Sequence, residues 1–399
     1  MVAEARRAPF GWIAVLAFAS GFPFGLINEA LPVYLRSQGS TLVDVGLVSA
    51  ATFPWTFKFL WAPFVDRYGT RKVWAVACLS GLAVMTLLLP QLRSAESSGL
   101  FWLVLLLMVT LSATQDIAID AYTIETTPES QLGVANAVRI ASYRAAMYLA
   151  GGFVIWLAGR SSWPTALGGG AALLAGLALL ALVVPQPPRA AGRVHPELWE
   201  PLLALVRRRE FVVVLLFAIL FKLGDSAMEP MTRAFWVDRG LSLEEIGGVL
   251  TPGRLIVTLV GAVLGGILTS RWGIFTALWS LGALQAVSNL GYWWAAVAAP
   301  SKTLIMGAAF FEQFTGAMGT AAFVSYLMSV CEPRFAATQY ALLSAALALT
   351  RAISGGFSGG VTERIGYAPY FLLTFFLALP GFALLPRIRT ATRPVEVTR

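Results

Sequence analysis

The feature that most limits what this chain can become is a succession of apolar windows, each about 20 residues long, the length that crosses a bilayer as a helix. They recur from residue 11 to residue 385 with only short polar breaks between them. A helix satisfies its own backbone N–H and C=O groups in hydrocarbon, so the windows predict spans at 11–34, 44–64, 73–90, 100–122, 132–158, 163–184, 211–236, 244–269, 274–298, 303–330, 336–362 and 367–385. Charged residues make up 13% of the chain and the mean hydropathy is +0.72, against about 25% charged in a soluble domain. Arg6 and Arg7 ahead of an apolar stretch resemble a secretory leader, but the stretch runs past Leu31, which favours a first spanning helix.

The polar breaks set an orientation. With the N-terminus in the cytoplasm, sixteen of the 29 Lys and Arg residues fall in cytoplasmic breaks. Seven fall in opposite breaks, at Arg36, Arg93, Arg160, Arg233, Arg239, Lys302 and Arg364, and six lie within spans. That asymmetry obeys the positive-inside rule, so both termini are expected in the cytoplasm, and the net charge of +8 reports topology and no affinity for nucleic acid. Cys78 and Cys331 lie in apolar segments of opposite halves, and the single histidine, His195, lies in a polar break. Neither a disulfide framework nor a zinc spacing results. Hydrolase triads and intramembrane histidine relays lack their residue, and no metal or cofactor is expected. A membrane-embedded transferase with Asp116 and Asp120 as a metal pair is a remote alternative without a third ligand or a nucleotide motif.

The longest break, 185–210, opens on Pro185-Gln186-Pro187-Pro188 and continues into an amphipathic stretch at the membrane surface. It divides an N-terminal six-helix bundle (1–184) from a C-terminal one (211–386), with a cytoplasmic tail at 387–399. Internal repetition supports the division. Ala62, Asp66, Arg67, Tyr68 and Gly69 match Gly266, Ser270, Arg271, Trp272 and Gly273 at an offset of 204 residues. Arg144 with Gly151-Gly152 matches Arg351 with Ser358-Gly359 at an offset of 207. The fold class expected is therefore all-α integral membrane with twelve transmembrane helices in two pseudo-symmetric bundles, the major-facilitator arrangement, whose solute site lies between its halves near the midplane.

The spans carry Glu29, Asp116, Asp120, Asp225, Glu229 and Glu312 against Lys58, Arg139, Arg144, Lys222, Arg254 and Arg351. One charge at the bilayer centre costs about 2.5–3.5 kcal/mol on the lenient insertion scale, so these groups must face one another or water. Asp116 and Asp120, four apart, share a helix face, as do Lys222, Asp225 and Glu229. Structural ion pairs between helices are the plain alternative for any one of them, but buried pairs contribute little net stability, and the whole set suggests a polar interior in use. Lys58, near Asp66 and Arg67, reads as structural and is left outside the site. Gly21, Pro23 and Gly25, and Gly355, Gly356, Gly359 and Gly360, read as close helix packing, with flexing during transport as the rival reading.

Particular stretches resemble a known family. Phe57-Lys58-Phe59-Leu60-Trp61 with Pro63 and Asp66-Arg67-Tyr68, then Thr114-Gln115-Asp116-Ile117 with Asp120-Ala121, look like the first half of AmpG-type muropeptide permeases. Phe221 to Asp225, Leu284 to Trp293, Gly316 to Phe323 and Ala337 to Ser344 follow in the family's order, so that the likeness spans residues 18–346. The resemblance implies a transporter of the bacterial cytoplasmic (inner) membrane that imports peptidoglycan breakdown products (anhydromuropeptides) with protons, and that works as a monomer like most members of the fold. The family is related to acetyl-CoA transporters, so a siderophore, a drug or a coenzyme A ester is the alternative solute. A basic tail after the twelfth helix, where longer members carry further helices, and Glu29 are departures that bear on solute range.

For a muropeptide, Gln115, Tyr143, Asn289 and Gln313 are expected to hydrogen-bond sugar and peptide, and Arg144, Lys222 and Arg351 to receive carboxylates, Arg bidentately. With no intramembrane histidine, Asp116, Asp120, Asp225 and Glu312 are the expected proton carriers. Asp66, Arg67 and Arg71 resemble the charged loop that acts in major-facilitator proteins as a gating latch, pairing across the bundle interface in one state.

Overall fold

The computed structural model describes residues 9–92, 98–127, 131–186, 211–330 and 336–391. The linker from residue 187, with His195, and Cys331 and the tail from residue 392 lie outside the described residues. Twelve helical spans follow one another: α1 Phe10–Ser37, α2 Leu42–Phe57, α3 Arg71–Gln91, α4 Ser98–Thr126, α5 Leu132–Arg160, α6 Trp163–Leu182, α7 Phe211–Asp238, α8 Leu243–Trp272, α9 Ile274–Val297, α10 Lys302–Val330, α11 Ala336–Ile365 and α12 Tyr367–Ala391. Eight are long and apolar enough to cross a membrane. Of the others, α2 is interrupted, and α9 and α10 lose hydropathy to Gln285, Ser288, Asn289, Glu312 and Gln313.

Local chemistry explains the breaks. After α2 the chain makes a 3₁₀ turn at Lys58–Leu60 and a last helical stretch at Ala62–Arg67, because Pro63 has no N–H to offer the preceding turn. Within α1, Pro23 precedes a π-helical turn at Leu26–Ala30 that contains Glu29. Thr70 caps α3 by accepting from the Val73 N–H, and Ser242 opens α8 in a capping box with Glu245. Gly69 and Gly273, the repeated glycines that follow α2 and α8, have φ of 70° and 79°, a left-handed conformation that only glycine adopts freely. The internal repeat therefore marks equivalent chain reversals.

Two compact units form. The first gathers α1, the chain from Ala51 through α6, and the start of α8 (Leu241–Pro252). The second gathers the start of α2 (Thr41–Ala50), α7, α8 from Gly253 onward, and α9 to α12. The units thus exchange one short segment each relative to a division at 185–210, and the reason is close backbone contact. In the second unit, a Cβ on Gly46 would stand 2.9 Å from the Gly355 carbonyl oxygen, and one on Gly359 would collide with the backbone of Leu42. Glu363 completes this seam by accepting from the backbone N–H groups of Leu42 at 2.8 Å and Val43 at 3.3 Å. In the first unit Gly247 of α8 meets the backbone of Gly152 and Trp156 in α5, and Gly151 meets the side chains of Glu29 and Thr251. Gly21 and Gly25 of α1 likewise lie against the backbones of Tyr143 and Met147 in α5, as expected of small residues at helix crossings.

Lipid tails are as apolar as Leu, so helices in a membrane gain from van der Waals fit more than from burial. The core of the second unit shows that fit: Phe221 stacks on Phe323 at 5.4 Å and 4° beside Phe217 and Tyr326. Gly359→Ala should therefore lower stability by about 1–3 kcal/mol, since backbone cannot rotate out of the way. Gly168→Ala, in open space, should stay within about 0.5 kcal/mol of the parent. Thermal unfolding in detergent compares them, and equal melting of the two variants would refute the packing account.

Candidate functional site

Each unit holds its own cluster of charged side chains. In the first, Asp116 and Asp120 project from one face of α4. Lys58 reaches both, its Nζ 3.6 Å from Asp116 Oδ2 and 3.8 Å from Asp120 Oδ2. Arg139 of α5 binds Asp120 Oδ1 at 2.5 Å, and the Ser20 hydroxyl of α1 donates to Asp116 Oδ1. Two carboxylates are thereby matched by two cations. Lys58, read from the sequence as a structural charge outside the site near Asp66 and Arg67, extends its long side chain to α4 from the break at Lys58–Leu60.

Neighbouring sequence positions separate in space. Gln115 is adjacent to Asp116, but one residue turns a helix by about 100°, and Gln115 points into the core with no exposure. Neither of its amide atoms has a hydrogen-bond partner among the described residues, and the same holds for fully buried Asn289 on α9. Tyr143 is half-buried and packs at 5.7 Å against Phe24, which in turn meets Trp55. Arg144 is exposed.

The second unit has two linked polar groups. Lys222 Nζ lies 3.3 Å from Asp225 Oδ2 and donates to Gln285 Oε1 at 3.2 Å and Thr320 Oγ1 at 2.8 Å, while Gln285 Nε2 donates to Asp225. Glu229, one turn further along α7, is held on one side by Arg233 Nη2 at 3.3 Å and on the other by Arg351 Nε at 3.5 Å. Gln313 Oε1 accepts from Arg254 Nε at 2.9 Å and Nη2 at 2.5 Å, and that guanidinium lies 5.2 Å from the Trp236 ring centre. The Glu312 carboxylate, on α10 beside Gln313, makes no hydrogen bond or ion pair among the described residues, although its backbone carbonyl oxygen accepts from Thr315 Oγ1 at 3.1 Å. Arg233, counted from sequence with the opposite breaks although the 211–236 window contains it, is corrected: it lies inside α7 and is buried, where Glu229 four residues earlier supplies the counter-charge that a spanning helix requires.

Sequence reasoning placed Asp116 with Asp120, and Lys222 with Asp225 and Glu229, on shared helix faces; Ser20, Lys58, Arg233, Gln285 and Thr320 are the further neighbours that the structure adds. The i, i+4 spacing of Glu229 and Arg233 was a readable signal for one of these. The others are joined by contacts between helices distant in sequence, which no local spacing shows. At the expected latch, Arg71 pairs with Glu125 of α4 at 2.9 Å and donates to the Val65 carbonyl oxygen at 3.2 Å. Arg67 lies 5.7 Å from the Tyr68 ring centre, and the Asp66 side chain is outside those described.

Residues 13–355 match the Major Facilitator Superfamily. The chain is 34% identical over 392 residues to the anhydromuropeptide permease of Escherichia coli (strain K12), covering 94% of this chain and 78% of that protein. It is 28% identical to putative transporter AmpG 4 of Rickettsia conorii, with 95% and 96% covered. Among solved structures it is similar to a bacterial homolog of the human lysosomal transporter Spinster, with a TM-score of 0.74, 15% identity and 96% of each chain covered. It is also similar to a D-xylose-proton symporter, with a TM-score of 0.72, 15% identity, and 94% and 96% covered. At such identities the two structures speak to the fold alone.

The Lys222 cluster gives a direct energetic test. Removing one partner of a buried pair leaves the other charge uncompensated, at about 3–5 kcal/mol; with the Gln285 amide still donating to Asp225, Lys222→Met should cost roughly 3 kcal/mol. The double variant Lys222→Met/Asp225→Asn should recover most of the loss in a double-mutant cycle of unfolding free energies. Strictly additive effects would remove the coupling.

Proposed function

Because this chain belongs to the Major Facilitator Superfamily and, within it, to the AmpG-type permeases, we propose that it imports anhydromuropeptides across the bacterial cytoplasmic membrane by proton-coupled alternating access. It is a multi-pass membrane protein and a transporter of a small-molecule solute, not an enzyme. One observation carries the solute class: identity of 34% with a permease named for anhydromuropeptides, running through 94% of the chain. The fold does not select a solute, since a symporter named for D-xylose shares it.

The clusters supply the chemistry such transport needs. Asp116, Asp120 and Asp225 each face a cation, so protonation of the carboxylate cancels an attraction; for Asp116 and Asp120 it ties α4 to Lys58 or to Arg139 of α5, whereas the Lys222–Asp225 pair lies within α7. Asp116 links α4 to Lys58 and Ser20 of α1, and Asp225 links α7 to Gln285 of α9 through its amide. A proton taken up at either place therefore changes how helices are held, which is the link that coupling requires. Glu312, whose carboxylate makes no hydrogen bond or ion pair among the described residues, is a further carrier. Tyr143, Arg144, Lys222, Gln313 and Arg351 are the proposed solute contacts whose side chains are not fully buried, and Gln115 and Asn289 complete the proposed set. The Arg71–Glu125 bridge, together with Arg67 and Asp66, is the proposed latch, with both termini cytoplasmic and the chain working as a monomer.

Proteoliposomes with an imposed proton gradient test the reading. Labelled anhydromuropeptide should accumulate above equilibrium and exchange by counterflow. Asp116→Asn, Asp120→Asn and Asp225→Asn should each reduce gradient-driven accumulation by about tenfold or more, the size of effect typical for a lost proton-transfer group, while counterflow continues. Unchanged coupling in all three variants would eliminate these carriers, and absence of counterflow in the parent would eliminate the solute.

A further inference from the structure

The four cations of the polar clusters in the second unit, Lys222, Arg233, Arg254 and Arg351, differ in how many of their donors are engaged. Lys222 Nζ has three partners. Arg254 places two nitrogens on Gln313 and its guanidinium over Trp236. Arg233 has a side chain only 3% exposed, and it spends Nη2 on the Glu229 carboxylate and Nη1 on the Glu229 carbonyl oxygen at 3.0 Å. Arg351 is the exception. Its side chain is 52% exposed, its contact is a 3.5 Å approach of Nε to Glu229 Oε2, and both Nη groups lack hydrogen bonds among the described residues.

A guanidinium carries five N–H donors in a planar fork that matches a carboxylate edge. In a membrane-spanning helix a half-exposed fork with its outer edge free is costly unless water or an anion meets it. Glu229 holds the inner edge at ion-pair distance only. We propose that Arg351 is a carboxylate subsite whose resident occupant is Glu229, so that a carboxylate of the solute and the Glu229 side chain compete for one guanidinium.

Arg233 makes the exchange feasible. It binds the other oxygen of Glu229 and is tied by the carbonyl of the same residue, one turn away on α7, so it stays with Glu229 when Arg351 departs. Displacement then leaves no unpaired buried carboxylate, which is the step that usually makes breaking such a pair costly. The competition is particular to this unit. Arg144, the repeat-related arginine of the first, is exposed with no carboxylate paired to it among the described residues. The assignment depends on the transport reading only in requiring a solute that bears a carboxylate.

Binding to the purified full chain in nanodiscs tests it with two probes, an anhydromuramyl tripeptide and plain trialanine, each with a free C-terminal carboxylate or a C-terminal amide. The parent should prefer the carboxylate forms by about tenfold, the worth of a charge-assisted hydrogen-bond pair. Arg351→Gln should abolish that preference and Arg351→Lys should restore only part of it. Glu229→Gln should tighten the carboxylate forms by roughly threefold or more and leave the amides unmoved. Glu229→Asp, whose shorter arm withdraws from Arg351, should act in the same direction if Glu229→Gln does not fold. A merely structural role would shift carboxylate and amide forms equally, and that result, or weaker carboxylate binding in Glu229→Gln, overturns the proposal. If the muropeptide does not bind but trialanine shows the pattern, the subsite stands and the solute assignment fails. If the parent does not distinguish carboxylate from amide with either probe, the subsite itself fails.

Discussion

An ionised side chain in a membrane-spanning helix has to meet an opposite charge, a polar neighbour or water, and most of the interior of this protein follows from that requirement. The carboxylates of α4 are met by Lys58, Arg139 and Ser20. Those of α7 are met by Lys222, Gln285, Arg233 and Arg351. Each pairing draws its partners from different helices or from successive turns of one helix, so satisfying the charges also decides which helices stand together. Protonation of one carboxylate therefore alters contacts between helices, and this is why the same residues serve both as internal ties and as the proposed carriers.

A second constraint acts through shape. Without a hydrophobic force between helices in lipid, contacts must be close to be worth much, and the closest are made at glycines. Gly21 and Gly25 bring α1 onto α5, and Gly46, Gly355 and Gly359 bring the start of α2 onto α11. The start of α8 joins the first unit in the same way, through Gly247 on α5. These contacts explain why each compact unit includes a short piece from the other half of the sequence.

Much of this was legible beforehand. The twelve spans follow from apolar length, and the two halves from the repeats around Gly69 and Gly273 and around Arg144 and Arg351. The common face of Asp116 and Asp120 follows from helical periodicity. Other features were hidden for identifiable reasons. Lys58 was read as part of the nearby loop charges because its reach depends on a break in α2 that brings it beside α4. Arg233 was counted with the cations of the opposite breaks although it falls inside the 211–236 window, and Glu229 four residues before it is the counter-charge that keeps it there. Gln115 was grouped with Asp116, yet a single residue step sends the amide into the core while the acid joins the cluster.

Sequence by itself determined that the chain lives in a bilayer, how many times it can cross, that it is built twice over, and which ionisable residues must find partners there. Those are consequences of composition, period and spacing, which are local and additive along the chain. Tertiary structure alone decided which partner each charge found, that Arg351 keeps its fork free while Arg254 does not, and that Gln115 and Asn289 are sealed. Such outcomes depend on distances between segments about a hundred or more residues apart, such as Ser20 and Asp116, Lys222 and Thr320 or Glu229 and Arg351, and only close packing of helices in three dimensions sets them.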